Sequence, residues 1–494
     1  MSSSYFLKRM AAGVWPAAVA LVIALAHIPE FLHRLLDGDE AIYGTIAVLM
    51  NAGGSLYGAG GVDNKPPGIF WVYSLTFRVF GDYQMTAVHA AGFLAMAATC
   101  FLLFVITRDL AGRRAGLLAA LFYGILTAAG NPRLLASNTE IFMMLPLTAS
   151  VLLMLRRRWT WSGLMLVAAG TFRQPAAANL LLVPVAIAWL ESLPPSRMAA
   201  AVRVTTGLVL GLILGAVVLM TTSSLEGFWR WTVQTLTGYA SVNWTPAFVW
   251  ARAKDSIVPF VIDMAVFWIA AIGLASRWRE LDARVRLMVL WLIAGMAGSL
   301  AGGHLSWHYF IQAMGPLAVL SAIAFDRFRP RRLVAGAAVL GIVIPATAWW
   351  AFDATADPLT YDFSAPVPQH QQVADYIRTH TSPSDRVFIW GDWPAVYVES
   401  DRVMASRFPG FLRGFARGSD LPPDNWDTAP DVWPLLASDL DTHPPALIVD
   451  TATAGWSDFS KYQMSHYPVL ARLVATTYHQ VATVDGVVIY ARNA

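Results

Sequence analysis

Cysteine is almost absent from this chain: Cys100 stands alone in 494 residues, inside an apolar run. An intrachain disulfide is therefore impossible, cysteine-cluster metal sites are excluded, and the redox compartment is not written in the sequence. Charge is also scarce. Charged residues make up 14%, against roughly 25% in ordinary soluble domains. The net charge of +3 gives no case for a nucleic-acid partner. There is no internal repeat and no low-complexity tract. A leader cleavage site is missing too. Lys8-Arg9 precede an apolar stretch, but Pro29-Glu30-Phe31 offers no small-residue site, so the stretch reads as a retained first helix.

What fills the chain instead is hydrocarbon. Hydrophobic residues are 56% of the total and the mean hydropathy is +0.51, values of a polytopic membrane protein with some soluble part. A helix crossing the bilayer core needs about 20 apolar residues, fewer where it is broken. About eleven such runs are present, near 12–31, 84–107, 115–131, 139–155, 159–172, 175–190, 204–224, 257–275, 287–303, 308–325 and 333–352. The pair 159–172 and 175–190 is short and is interrupted by Arg173-Gln174-Pro175. It reads either as two tilted spans or as one re-entrant hairpin.

The positive-inside rule orients these runs. With the N-terminus inside, the inner loops hold 18 Lys and Arg, and the outer loops up to residue 352 hold 8. An odd span number sends the C-terminus outside. The chain is then expected to lie in the cytoplasmic membrane, with a transmembrane domain over 1–353 and an extracytoplasmic α/β domain over 354–494. In that second part Gln371 to Thr379 reads as a helix, and Arg386 to Trp390 and Ala446 to Asp450 read as strands. Val481 to Ala491 reads as a hairpin around Asp485-Gly486. Pro-rich connections such as Leu421-Pro422-Pro423 separate the elements.

The same orientation gathers Asp39, Glu40, Lys65, Arg133, Glu140, Arg173, His304 and His308 on the outer side. Ionisable groups at a membrane edge are expensive and point to function. Asp39 and Glu40 follow the first span. A carboxylate there can take the proton of an attacking hydroxyl; the ordinary alternative is Asp39 as a helix N-cap. Lys65-Pro66-Pro67-Gly68 lies in the same loop. The prolines stiffen the backbone and the ammonium suits a phosphate, although a snorkelling lysine would look similar. Together these residues suggest a base and a phosphate anchor beside lipid.

Asn131-Pro132-Arg133 and Asn138-Thr139-Glu140 frame the next outer loop. Glu140 either orients substrate or pairs with a cation, or simply favours the positive end of a helix dipole. Arg173 at the helix break can neutralise a phosphate or be an interfacial arginine. His304 and His308 have the i,i+4 spacing of a metal pair on a helix, but Gly302-Gly303 argue against a continuous helix. Hydrogen bonding to phosphate or sugar, or interfacial packing, fits better.

Asp39-Glu40 with Tyr43, Lys65-Pro66-Pro67-Gly68, Asn138-Thr139-Glu140 and His308-Tyr309-Phe310 resemble the GT-C membrane glycosyltransferases. Nearest in pattern are the protein O-mannosyltransferases and the lipid A aminoarabinose transferases. The likeness covers about residues 12–352. It implies an inverting transferase with a polyprenyl-phosphate sugar as donor and a cell-envelope glycan, lipid or protein as acceptor. By that resemblance Asp39 is the general base and Lys65 holds the donor phosphate, with Arg173 assisting. Glu40 and Glu140 shape the sugar or acceptor site, and Arg133, His304, His308 and Tyr309 join the substrate-binding set. No cofactor and no catalytic metal is implied, with a divalent cation as the open alternative. Ala41-Ile42 stand where the aminoarabinose transferases tend to carry an arginine, so the resemblance supports transfer to lipid A less strongly than the broader class. The rival reading is a transporter or flippase of a lipid-linked solute. It expects polar or broken helices near the bilayer midplane, whereas the apolar runs here are nearly free of charge.

Overall fold

The computed structural model describes residues 3–234, 246–301, 305–328, 331–359, 370–410, 432–455 and 459–493. His304 and Leu421-Pro422-Pro423 lie outside the described residues. The chain is mostly helical, with a small sheet near its C-terminus. By length and composition five helices reach a membrane span: Met85–Ala111, Pro194–Thr222, Ala283–Leu300, Trp307–Phe328 and Arg332–Thr355. A sixth is counted if Val249–Asp263 and Ala265–Ala275, bent by 75°, form one broken span. Shorter apolar helices include Val14–Ala26, Thr139–Leu155 and Gln174–Leu190. These helices make the chain an integral membrane protein.

The contacts divide the chain into two compact units. The first is built from Met1–His33, His89–Val217 and Trp244–Ala356. At its centre runs the Ile311–Phe328 helix, buried almost continuously from Ile311 to Ala324. It packs against the Arg113–Leu126, Thr139–Leu155, Ala265–Ala275 and Ala283–Leu300 helices. The Arg332–Thr355 helix shows the opposite pattern. Leu333, Val339, Leu340 and Ile344 are exposed, as side chains facing lipid are. The break foreseen at Arg173 is present: Trp159–Gly170 ends, and a 3-10 segment, Gln174–Leu181, leads into Leu182–Leu190. Pro175 at its start has no N–H to lose.

The second unit is built from Arg34–Val88, Val218–Asn243 and Asp357–Ala494. Its sheet runs in the order β2-β1-β3-β5-β4, with β1 Arg386–Trp390, β2 Val403–Met404, β3 Leu447–Asp450, β4 Tyr478–Val484 and β5 Val487–Arg492. β2, β1 and β3 are parallel, and β5 is antiparallel to both β3 and β4. The hairpin turns at Asp485 and Gly486, with φ of 48° and 82°, the left-handed pair that a tight two-residue turn requires. Strand β3 is buried along its whole length, as expected where both faces of a parallel pair are covered.

The Gly38–Asn51 helix packs within this unit on the Ala395–Ser400 helix and β2. Three chain segments are tied together here. Val62 donates its backbone N–H to the Arg407 carbonyl at 3.1 Å, and the Tyr83 hydroxyl donates to the Arg402 carbonyl at 3.0 Å. Leu56 exchanges backbone hydrogen bonds with Thr222 and Ser224. Arg407 is itself fixed by two side-chain bonds to Asp439, at 2.9 and 2.7 Å.

Candidate active site

In the second unit Asp37, not Asp39, caps the Gly38–Asn51 helix, accepting the Asp39 N–H at 3.4 Å. The ordinary reading of Asp39 as a cap is thereby corrected. Glu40, three residues beyond the cap and fully buried, reaches back to accept the Leu36 N–H at 2.8 Å. Asp37-Gly38-Asp39-Glu40 is thus a variant of the capping box. That D-x-x-E spacing was the available signal for Asp37. With the helix end satisfied by its neighbours, the Asp39 carboxylate is left in the first turn for other work.

Asp39 Oδ2 accepts a hydrogen bond from Lys65 Nζ at 3.3 Å and another from the Tyr43 hydroxyl at 3.2 Å. The ammonium also stands 5.8 Å from the centre of the Tyr43 ring, within cation–π range. Burial, and after it the Asp39 charge, push the Tyr43 phenol well above its usual range, so Tyr43 acts here as a donor. The loop that presents Lys65 is held at its backbone. Asp63 accepts the Lys65 N–H at 2.9 Å, and the Tyr57 hydroxyl donates to the Lys65 carbonyl at 2.7 Å. Tyr57 is braced in turn by the Phe70 and Phe228 rings. Asp63 and Tyr57 were not foreseen from sequence. Asp63 is recognisable in hindsight as an Asx residue two positions before the lysine; Tyr57 carries no local signal.

In the first unit Glu140 lies in the first turn of the Thr139–Leu155 helix, buried to 1% exposure. Its carboxylate pairs with the guanidinium of Arg173 and accepts the Thr139 hydroxyl at 2.8 Å. His308 Nε2 is 3.9 Å from it. The guanidinium carbon of Arg173 stands 3.5 Å from the centre of the Tyr309 ring. Glu140, Arg173, His308 and Tyr309, foreseen singly, are therefore one cluster. Arg133 sits in the Pro132–Leu134 turn, capped by Asn131, and that turn packs on Trp307–Phe310. The helix before Gly302 ends at Leu300, and His308 lies in a 3-10 turn that begins after Ser306.

Two residues that sequence reading passed over position this cluster. Ser299 donates to the Tyr309 carbonyl at 2.7 Å, and Gln312 donates its amide to the Pro175 carbonyl at 3.2 Å. The chemistry of the two clusters differs. Asp39 and Lys65 supply a partly accessible acid and a cation. Glu140 and Arg173 form a buried, stacked ion pair that fixes position.

Comparison with known proteins bears on the fold. Residues 64–221 match the family model of dolichyl-phosphate-mannose-protein mannosyltransferases. Among curated proteins no sequence matches. The fold is similar to the crystal structure of ArnT from Cupriavidus metallidurans bound to undecaprenyl phosphate. The TM-score is 0.65 at 14% identity, covering 100% of this chain and 99% of that one. The apo state of the same protein gives 0.62 at 14% identity, with 98% of each chain covered. The Archaeoglobus fulgidus oligosaccharyltransferase in its apo form gives 0.55 at 12% identity, covering 96% of this chain and 74% of that one. The chain has the GT-C-type fold that the resemblance implied.

Proposed function

We propose that this protein is an inverting glycosyltransferase that moves a sugar from a polyprenyl-phosphate donor to an extracytoplasmic acceptor. The observation that carries the reading is the contact of Asp39 with Lys65 at 3.3 Å, on a stiff loop of a GT-C-type fold. It is supported by the undecaprenyl phosphate bound to the similar ArnT structure and by the mannosyltransferase model over 64–221.

The acceptor hydroxyl attacks the anomeric carbon as the bond from that carbon to the phosphate oxygen breaks. Asp39 receives the hydroxyl proton. The polyprenyl phosphate leaves with the bonding electron pair and needs no acid, because the Lys65 ammonium stabilises the charge it gains. In the free protein that ammonium rests on Asp39. An incoming donor phosphate competes for it, and as Lys65 moves to the phosphate the base is released from its ion pair. Binding of the donor and activation of the base are thus coupled through one lysine. Glu140, Arg173, His308 and Tyr309, with Arg133 and His304, are assigned to substrate binding. Glu40, already committed to the Leu36 N–H, acts by holding the helix start that carries Asp39. The orientation is that of the arginine count, with the N-terminus and the arginine-rich loops inside and the sheet-bearing segment outside.

The test is Asp39→Asn in purified protein supplied with a panel of polyprenyl-phosphate sugars and a cell-envelope extract. Turnover, read by mass spectrometry of the glycosylated product, should fall at least about a hundredfold, while donor binding persists. Uptake or flipping of a lipid-linked sugar without transfer in the unsubstituted protein would establish the transporter reading instead.

A further inference from the structure

At the opposite, arginine-rich end of the helices in the first unit lies a cavity of about 250 Å³. Asp109, Arg156, Arg157 and Arg284 line it together with four aliphatic side chains, Leu152 and Leu155 among them. Asp109 belongs to the last turn of the Met85–Ala111 span and Arg284 to the first turn of the Ala283–Leu300 span. The cavity therefore opens where two apolar helices reach the membrane surface.

Arg156 and Arg157 are fixed at their backbone. Arg156 and Arg157 end the Thr139–Leu155 helix. Arg158 donates its N–H to the Leu153 carbonyl at 2.8 Å, and Arg157 donates to Met154 at 2.9 Å. This is the Schellman closure, and it sets Arg157 at a φ of 56°, where glycine is the usual residue. The Arg157 guanidinium also stands 4.0 Å from the Glu191 carboxylate. Asp109 accepts from Arg156 at 2.9 Å and from Arg108 at 2.7 Å. The Arg284 side chain makes no hydrogen bond or ion pair among the described residues. Three guanidiniums against one carboxylate give the lining residues a formal charge of +2, of which the Arg157 share is offset by Glu191.

We propose that this cavity binds the phosphate headgroup of an anionic membrane phospholipid, distinct from the sugar donor. Guanidiniums grip phosphate oxygens in pairs, and basic pockets at the ends of membrane helices take anionic headgroups. The aliphatic half of the lining decides between a lipid and a free phosphate. It meets the glycerol and the first methylenes of a lipid, and offers a hydrated inorganic ion nothing. Asp109 is the resident anion that the headgroup phosphate displaces from Arg156.

Native mass spectrometry of the full chain in neutral detergent tests this, with phosphatidylglycerol, phosphatidylcholine and inorganic phosphate as probes. Phosphatidylglycerol should bind at least about tenfold more tightly than phosphatidylcholine. Arg156→Gln with Arg284→Gln should weaken it about tenfold or more. Asp109→Asn should tighten it, a change in the opposite direction that a folding defect does not mimic. Equal binding of the two lipids, or no change in a double variant that elutes and melts like the parent, overturns the proposal. So does displacement of the lipid by inorganic phosphate at matched concentration. If the double variant does not fold, Asp109→Asn decides alone: unchanged or weaker binding overturns the proposal.

Discussion

The guanidinium of Arg173 lies against the Tyr309 ring, 3.5 Å from its centre, and so joins a helix break to a turn 136 residues further along the chain. The same group pairs with Glu140, and both ionic side chains are buried. Flat stacking on a ring suits a planar, weakly hydrated guanidinium better than an ammonium.

Removing one member of this pair leaves the other charged and buried. Glu140→Ala or Arg173→Ala should each destabilise the protein by about 3–5 kcal/mol. Glu140→Leu combined with Arg173→Met should cost less than either single change, because two uncharged side chains leave nothing uncompensated. Thermal melts in a fixed detergent measure all three. A double variant as unstable as the sum of the singles would remove this account of the pair.

Lys65 has a separable role. Lys65→Ala should raise the donor Kd about tenfold or more by removing a charge-assisted contact. Lys65→Arg should recover part of the binding but less of the turnover, since the bulkier fork does not share Asp39 Oδ2 in the same geometry. Donor titration and single-turnover rates, taken together, distinguish the two effects.

Gly61 sets the path of the loop. It has a φ of 112°, and a Cβ there would meet Ile46 Cγ1 at 2.7 Å. Gly61→Ala should cost about 1–3 kcal/mol from backbone conformation and crowding. It should also displace Lys65 four residues on. Hydrogen exchange of the 56–66 amides should speed up while that of β1 and β3 stays unchanged.

Asp450 makes part of the stability depend on pH. It ends β3 almost fully buried and accepts the Ala452 N–H at 3.0 Å. Burial raises its carboxyl to about 6, above its ordinary 3.8. The folded state therefore binds the extra proton, and stability present below pH 4 is lost as pH rises through 6. The loss amounts to roughly 3 kcal/mol. Asp450→Asn keeps the acceptor for Ala452 and removes the titration. The variant should melt higher than the parent at pH 7.5, and the difference should vanish near pH 4.

The parts of this molecule that were legible from sequence are those with local signals. Arg386–Trp390 carries alternating β-branched and aromatic residues and is a strand over that span. Asp485-Gly486 marks its hairpin for the same reason. Lys65 was visible through its flanking prolines. β2 was not, because Val403–Met404 is two residues long and exists only by pairing with β1. Ser299 and Gln312 escaped notice for a similar reason: a serine and a glutamine in apolar helices acquire meaning only from the carbonyls they reach. The two-unit division was equally hidden, since no local pattern in 34–88 announces that Val62 and Tyr83 bond to residues beyond 400.

That last tie bears on biosynthesis. Asp39 and Lys65 emerge early from the ribosome, yet the carbonyls of Arg402 and Arg407 that hold their segment are translated more than 300 residues later. Closing so long a loop is slow, and until it closes the segment that carries the acid and the lysine lacks two of its anchors. A nascent chain stopped before residue 400 would carry every residue of the proposed chemistry and the local bonds from Asp63 and Tyr57, but not the Arg402 and Arg407 carbonyls, so the full scaffold arrives only with the later chain.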